Sequence, residues 1–294
     1  MPDIRQAFLK LEKAAGAELT LLWHEIEEWQ RDNVFIRRGY RPASNSFKKS
    51  AKSLAYLHNE TVNIYTHLIG AVVSALAFFW LYSIIHPRYE SATTQDVLVF
   101  SCFFLGATAC LGLSAAFHLF SNHSRSVQVF GNQLDYLGIV FLIWGSFIPS
   151  IYYGFQRDPQ LITKYWIMIT TIGAMTATAT LMPVFRTPTF RPIRALMFVG
   201  MGLSAIFPVL HGLQIYGYSI MKDAIGFDWL LTQGILYILG ASIYAARVPE
   251  RFAPGRFDIW GSSHQIFHVL VLIAAATHLR GLLTAFDFTH RGPS

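Results

Sequence analysis

The stretch NIYTHLIGAVVSALAFFWLYSII, residues 63–85, contains 23 consecutive residues without an Asp, Glu, Lys or Arg. A helix rises about 1.5 Å per residue, so roughly 20 apolar residues are enough to cross the hydrocarbon core of a bilayer. This stretch therefore predicts a transmembrane helix.

Six more apolar runs follow, and most of the short connections between them contain Pro, Gly or charged residues. We predict these further spans at residues 97–119, 129–151, 166–185, 193–215, 229–246 and 263–286. The fourth span of the chain is rich in Thr and the sixth is short, so these two have the weakest patterns. The sequence predicts an all-α integral membrane protein, a seven-transmembrane helix bundle.

The composition agrees with a lipid-facing surface. Hydrophobic residues make up 53% of the 294 residues and charged residues only 14%, whereas soluble domains carry roughly a quarter. The net charge of +6 comes from tails and loops, and no motif predicts nucleic-acid binding. The two cysteines, Cys102 and Cys110, lie in one apolar run and provide neither a disulfide framework nor a thiolate cluster.

Lys and Arg residues predict the orientation, because they concentrate on the cytoplasmic side. They are frequent before the first span and after the fourth and sixth, and sparse after the first, third and fifth. We therefore expect residues 1–58 to be a cytoplasmic region, 59–288 the membrane domain and 289–294 a short outer tail. Within the cytoplasmic region, the spacing of apolar residues over 21–42 predicts an amphipathic helix, lying either on the membrane surface or against the inner helix ends.

Ionisable groups inside a bilayer are costly, so each one within a span is a candidate functional residue. His118 ends the second span, Asp135 begins the third, and His264 and His268 begin the seventh. With the predicted orientation, all four lie at a similar depth near the cytoplasmic face. His264 and His268 are four residues apart, which places both imidazoles on one helix face.

Three histidines with an open fourth position are typical of catalytic zinc. We interpret His118, His264 and His268 as candidate Zn²⁺ ligands. Asp135 would be a general base for the bound water or would orient a ligand, and Ser114, one turn before His118, would bind that water or a substrate carbonyl. The alternatives are interfacial histidines, an Asp that stabilises a helix start, and a small packing residue.

The remaining polar residues near the spans give weaker signals. His67 is consistent with helix packing, and His58 and Glu60 with surface or interface positions before the first span. His211 and His278 should lie in the outer half of the membrane, away from the predicted cluster.

Four motifs together resemble the progestin and adipoQ receptor family, which includes adiponectin receptors and hemolysin III-like proteins. They are HNETVNIYTHLIG at 58–70, SAAFH at 114–118, NQLDYLGI at 132–139 and HQIFH at 264–268. The resemblance covers residues 25–285, and the short N-terminal tail is most similar to fungal members. It implies a seven-helix bundle with a cytoplasmic N-terminus, zinc on His118, His264 and His268, and Asp135 and Ser114 near the zinc-bound water.

The resemblance also implies a ceramidase-like hydrolysis of a lipid amide, which yields a free fatty acid. A receptor with structural zinc and a possible extracellular ligand is the alternative. A transporter is a third reading, but it would need ionisable groups at several depths. The sequence leaves plasma membrane and internal membranes both open.

Overall fold

The computed structural model describes residues 19–85, 88–186 and 190–291, and these residues form helices, turns and loops without an extended sheet. The N-terminal residues 1–18 and the last three residues of the expected outer tail lie outside the described residues. The helices are α1 Phe47–Lys52, α2 Thr61–Ile85, α3 Thr94–Phe120, α4 Arg125–Gly154, α5 Pro159–Leu181, α6 Arg191–Leu203, α7 Ile206–Tyr216, α8 Tyr218–Ala224, α9 Phe227–Ala246 and α10 Ser263–His290.

Six stretches of the described residues are long and apolar enough to cross a membrane, and they correspond to α2, α3, α4, the α6–α7 pair, α9 and α10. The α5 helix has 23 residues but is not among these six apolar stretches, in agreement with the Thr-rich pattern of the predicted fourth span. The predicted fifth span consists of two helices, α6 and α7, which meet at Ser204 and Ala205. The helices confirm the predicted all-α membrane bundle, and the protein is a multi-pass integral membrane protein.

The core of the bundle lies between α3 and α4, which pack closely along their length. The Cβ of an alanine at Gly138 in α4 would lie 2.8 Å from Cα of Cys110 in α3, so only glycine permits this separation. Small residues that bring helix backbones together are typical of membrane packing, where the lipid offers no hydrophobic driving force. Large apolar side chains on α2, such as Phe79 and Trp80, are instead exposed toward the surrounding lipid.

The predicted amphipathic helix at 21–42 is wrong. This segment consists of turns, one 3₁₀ turn at Glu28–Gln30 and an isolated antiparallel bridge between Leu21 and Tyr40. Its apolar residues Ile26, Ile36 and Tyr40 form a small separate core. The apolar spacing that suggested a helix is therefore explained by a compact loop.

The loop between α9 and α10 packs against this N-terminal segment. Asn33 donates a hydrogen bond to Glu250, and the backbone N–H of Arg37 donates to Asp258. We call the described residues 19–60 and 247–262 together the cap. The cap lies at the end of the bundle where α3 ends and α10 begins, which is also where the candidate site lies.

Candidate metal centre

The structure brings the three predicted histidines together. His118 belongs to the last turn of α3, and His264 and His268 lie in the first two turns of α10. The ring centroid of His118 is 4.9 Å from that of His264 and 4.8 Å from that of His268, and the latter two centroids are 4.8 Å apart. One ring nitrogen from each residue lies within 4.8 Å of the others, so the group could hold a metal ion.

In two of these rings, Nδ1 already forms a hydrogen bond to a neighbouring group. Nδ1 of His118 is 2.7 Å from Oε2 of Glu60, and Nδ1 of His268 is 3.1 Å from the backbone oxygen of Asn63. Both partners are hydrogen-bond acceptors, so Nδ1 is the donor in each ring, and the neutral form of each ring presents Nε2 as a lone pair. Nε2 of His118 is buried and has no hydrogen-bond partner in the described structure.

This hydrogen bonding matches the usual surroundings of metal-bound histidine, in which the second ring nitrogen donates to a carboxylate or a backbone carbonyl. A buried nitrogen lone pair without a partner costs free energy unless something binds to it. The described residues at this position therefore fit a zinc ion in ligand type and number.

Glu60 is a component of this centre, so the expected surface or interface position does not account for its role. Its carboxylate also accepts a hydrogen bond of 2.7 Å from Nδ2 of Asn63. Burial alone would raise the pKa of Glu60, but the neighbouring His118 and hydrogen bonds from His118 and Asn63 outweigh it and lower this pKa below its usual range. Glu60 is therefore ionised at neutral pH.

His58 is also not a surface residue, because only 1% of it is exposed. Its Nδ1 accepts a hydrogen bond of 3.1 Å from the backbone N–H of Glu60. Burial, reinforced by the positive charge of Arg41, lowers the pKa of His58 to about 3. A neutral His58 therefore helps to hold the backbone of Glu60 in position.

A second group of side chains lies behind His268. The ring of His67 stacks on that of His268, with centroids 3.6 Å apart and planes inclined by 6°. Nδ1 of His67 is 2.8 Å from Oγ of Ser114, and Ser114 in turn interacts with the carboxyl group of Asp135. Ser114 and Asp135 are thus adjacent to the histidine cluster, and His67 does more than fill space between helices.

The sequence contained a signal for these additional residues. Glu60, Asn63 and His67 are three and four residues apart, so they share one face at the start of α2. The start of α2 also lies at the same depth as the other site residues. His211 and His278 lie elsewhere, beside Tyr165 and Phe103 respectively.

A cavity of about 320 Å³ adjoins the site. Glu60, His118 and His264 form part of its wall, and Tyr40 and Arg41 of the cap form another part. Its other lining residues are largely polar, and two of the three histidines, His118 and His264, lie on its wall.

Comparison with known proteins identifies the group to which this architecture belongs. The profile of the haemolysin-III-related family matches residues 55–279, which include every residue of the candidate centre. The chain belongs to the haemolysin-III-related family. This result confirms the resemblance to progestin and adipoQ receptors.

Individual relatives agree with the family match. The chain is 44% identical over 271 residues to the "ADIPOR-like receptor IZH2" of Saccharomyces cerevisiae, covering 91% of this chain and 84% of the relative. It is 47% identical to the "Progestin and adipoQ receptor-like protein 1" of Caenorhabditis elegans, covering 89% and 60%. It is 43% identical to the "Adiponectin receptor protein" of Drosophila melanogaster, covering 88% and 58%. The chain thus spans about three-fifths of the length of the two animal relatives.

Proposed function

We propose that this protein is a zinc-dependent hydrolase of membrane lipid amides of the ceramide type. His118, His264 and His268 would hold the ion through their Nε2 atoms. The observation that carries the proposal is the pair of Nδ1 hydrogen bonds, to Glu60 and to the backbone of Asn63, which leaves the Nε2 atoms of His118 and His268 bare.

Bound zinc would supply two chemical effects, polarisation of the amide carbonyl and a lower pKa, about 7, for a water molecule. Asp135 would accept the proton of the attacking water and pass it to the leaving amine. Ser114, which interacts with Asp135, would orient that carboxylate or the carbonyl of the substrate. Glu60 would keep His118 in the tautomer that presents Nε2.

The position of the site favours a lipid substrate. The histidines lie at the ends of membrane-spanning helices, at the level where the amide of a ceramide-like lipid would meet the polar headgroup region. The adjoining polar cavity would admit water and release the polar end of a product, while the fatty acid remains in the membrane. The Lys and Arg pattern leads us to infer a cytoplasmic N-terminus and an outer C-terminus, so this site would face the cytoplasmic leaflet.

The experiment compares two variants for zinc content and for ceramide hydrolysis by purified protein. We expect His268→Ala to lose both, because it removes a ligand. We expect Asp135→Asn to retain zinc, but its rate of ceramide hydrolysis should be about a hundredfold lower or more, the usual effect of removing a general base. The exposed Asp228→Asn on α9 is the matched control and should retain both properties. Hydrolysis that persists in a zinc-free His268→Ala protein would refute the catalytic proposal.

A receptor with structural zinc is the second candidate, and it is favoured by the names of the relatives, which call them receptors. In that case the ion would fix the ends of α3 and α10, and an outer ligand would act through helix movement. An Asp135→Ala protein that binds zinc would then keep its response to ligand, whereas a response that depends on hydrolysis would disappear.

A further inference from the structure

Two buried charges of opposite sign lie at the ends of the two helices that carry the histidines. The first is Arg41 in the cap, which is 2% exposed. Its guanidinium donates to the backbone oxygens of His118 at 2.6 Å and Leu119 at 2.8 Å, and to the hydroxyls of Ser53 and Ser121. Burial lowers the pKa of Arg41 to about 10, so it remains charged at neutral pH.

The second charge is Glu250, which also belongs to the cap and is fully buried. Its carboxylate accepts a hydrogen bond of 2.8 Å from the backbone N–H of Ser263, the first residue of α10, and another from the Ser263 hydroxyl. Asn33 donates a third, at 3.1 Å. Ser263 directly precedes His264.

The signs of these charges suit the helix ends that they contact. The last carbonyl groups of a helix carry partial negative charge and its first N–H groups partial positive charge. Arg41 therefore stabilises the end of α3 that carries His118, and Glu250 stabilises the beginning of α10 that carries His264 and His268. Neither residue contacts the ring nitrogens that would bind the ion.

We propose that Arg41 and Glu250 are positioning residues of the metal centre, which fix the end of α3 relative to the start of α10. The cap connects them, because the segment that contains Arg41 also contains Asn33, the hydrogen-bond partner of Glu250. The distance between His118 and the α10 histidines then depends on both residues. This inference rests on the metal site of the proposed function and adds the extramembrane cap to it.

The experiment measures zinc affinity of the purified full-length chain by competition with a chelator, for Arg41→Met, Arg41→Lys, Glu250→Ala and Glu250→Gln. We expect Arg41→Met and Glu250→Ala to weaken binding about tenfold or more, as is usual when groups that orient metal ligands are removed. The conservative Arg41→Lys and Glu250→Gln keep part of the hydrogen bonding, so each should weaken zinc binding by only about fivefold or less. These two variants decide the outcome if the larger changes prevent folding.

Arg38→Met is the matched control, because this guanidinium is about half exposed and pairs only weakly with Asp258 at 3.4 Å. Its zinc affinity should equal that of the wild type. The second readout is thermal unfolding with and without zinc. A purely structural role would lower both unfolding temperatures equally, whereas a positioning role reduces the increment that zinc provides.

Wild-type affinity in folded Arg41 and Glu250 variants would overturn this inference and leave the proposed zinc site intact. A wild-type chain that binds no zinc would overturn both. Zinc binding without ceramide hydrolysis would overturn only the catalytic part of the proposed function.

Discussion

Removal of the Glu60 carboxylate should weaken zinc binding without removing a ligand. The hydrogen bond from Nδ1 of His118 to Oε2 of Glu60 is 2.7 Å long and involves an ionised carboxylate. Hydrogen bonds to charged groups contribute about 1.5–3 kcal/mol. Because the side chain of Glu60 is 28% exposed, we take the lower half of that range, about 1.5–2 kcal/mol.

This free energy corresponds to a ten- to thirtyfold weaker zinc affinity for Glu60→Ala, at about 1.4 kcal/mol per factor of ten. Glu60→Gln keeps an oxygen acceptor but loses the charge, so it should lie between the wild type and Glu60→Ala. The assay is chelator competition on purified protein at neutral pH. Glu28→Gln, at an exposed position of the cap, is the control and should bind zinc like the wild type.

The result that would refute this reasoning is a folded Glu60→Ala protein with wild-type zinc affinity. It would mean that the carboxylate does not support the metal-binding form of His118. Complete loss of zinc in Glu60→Gln would also contradict it, because Glu60 would then behave as a ligand.

Three further predictions concern stability. Gly138→Ala should lower the free energy of unfolding by about 1–3 kcal/mol, because the new Cβ would collide with Cys110. Gly234→Ala is the control, since open space surrounds that position, and thermal unfolding in detergent measures both variants. His58 is neutral in the folded protein, because its pKa is lowered to about 3, so the free energy of unfolding should fall as the pH drops below about 6.5, by about 2 kcal/mol at pH 5. His58→Asn should reduce this dependence on pH; an unchanged dependence in the variant would contradict the neutral state assigned to His58. A chelator should lower the unfolding temperature of the wild type and leave that of His268→Ala unaffected; equal shifts would indicate that the ion binds elsewhere.

The sequence predicted the parts of the fold that depend on regular helices. An apolar run of sufficient length specifies a span, and the period of a helix places His264 and His268 on one face. The common depth of His118 and the α10 pair then predicted their proximity, although they are far apart in the chain. The break between α6 and α7 was not predicted, because the apolar run continues through it.

The cap could not be predicted in the same way. Its backbone has no regular period, and its contacts depend on how residues distant in sequence pack together. Ile26, Ile36 and Tyr40 had a spacing that suggested a helix, but they form a small core within turns. Glu60 and His58 were not predicted as site residues because they precede the first apolar run, and the hydrogen bond between Glu60 and His118 forms only when the beginning of α2 packs against the end of α3.

The central claim is that three imidazoles from α3 and α10 share one zinc ion. Zinc K-edge X-ray absorption of the purified protein tests it most directly, combined with the metal content per chain. We predict one zinc per chain with three histidine nitrogens at about 2.0–2.1 Å. A metal-free protein, or a zinc ion surrounded by sulfur or by oxygen alone, would contradict the claim.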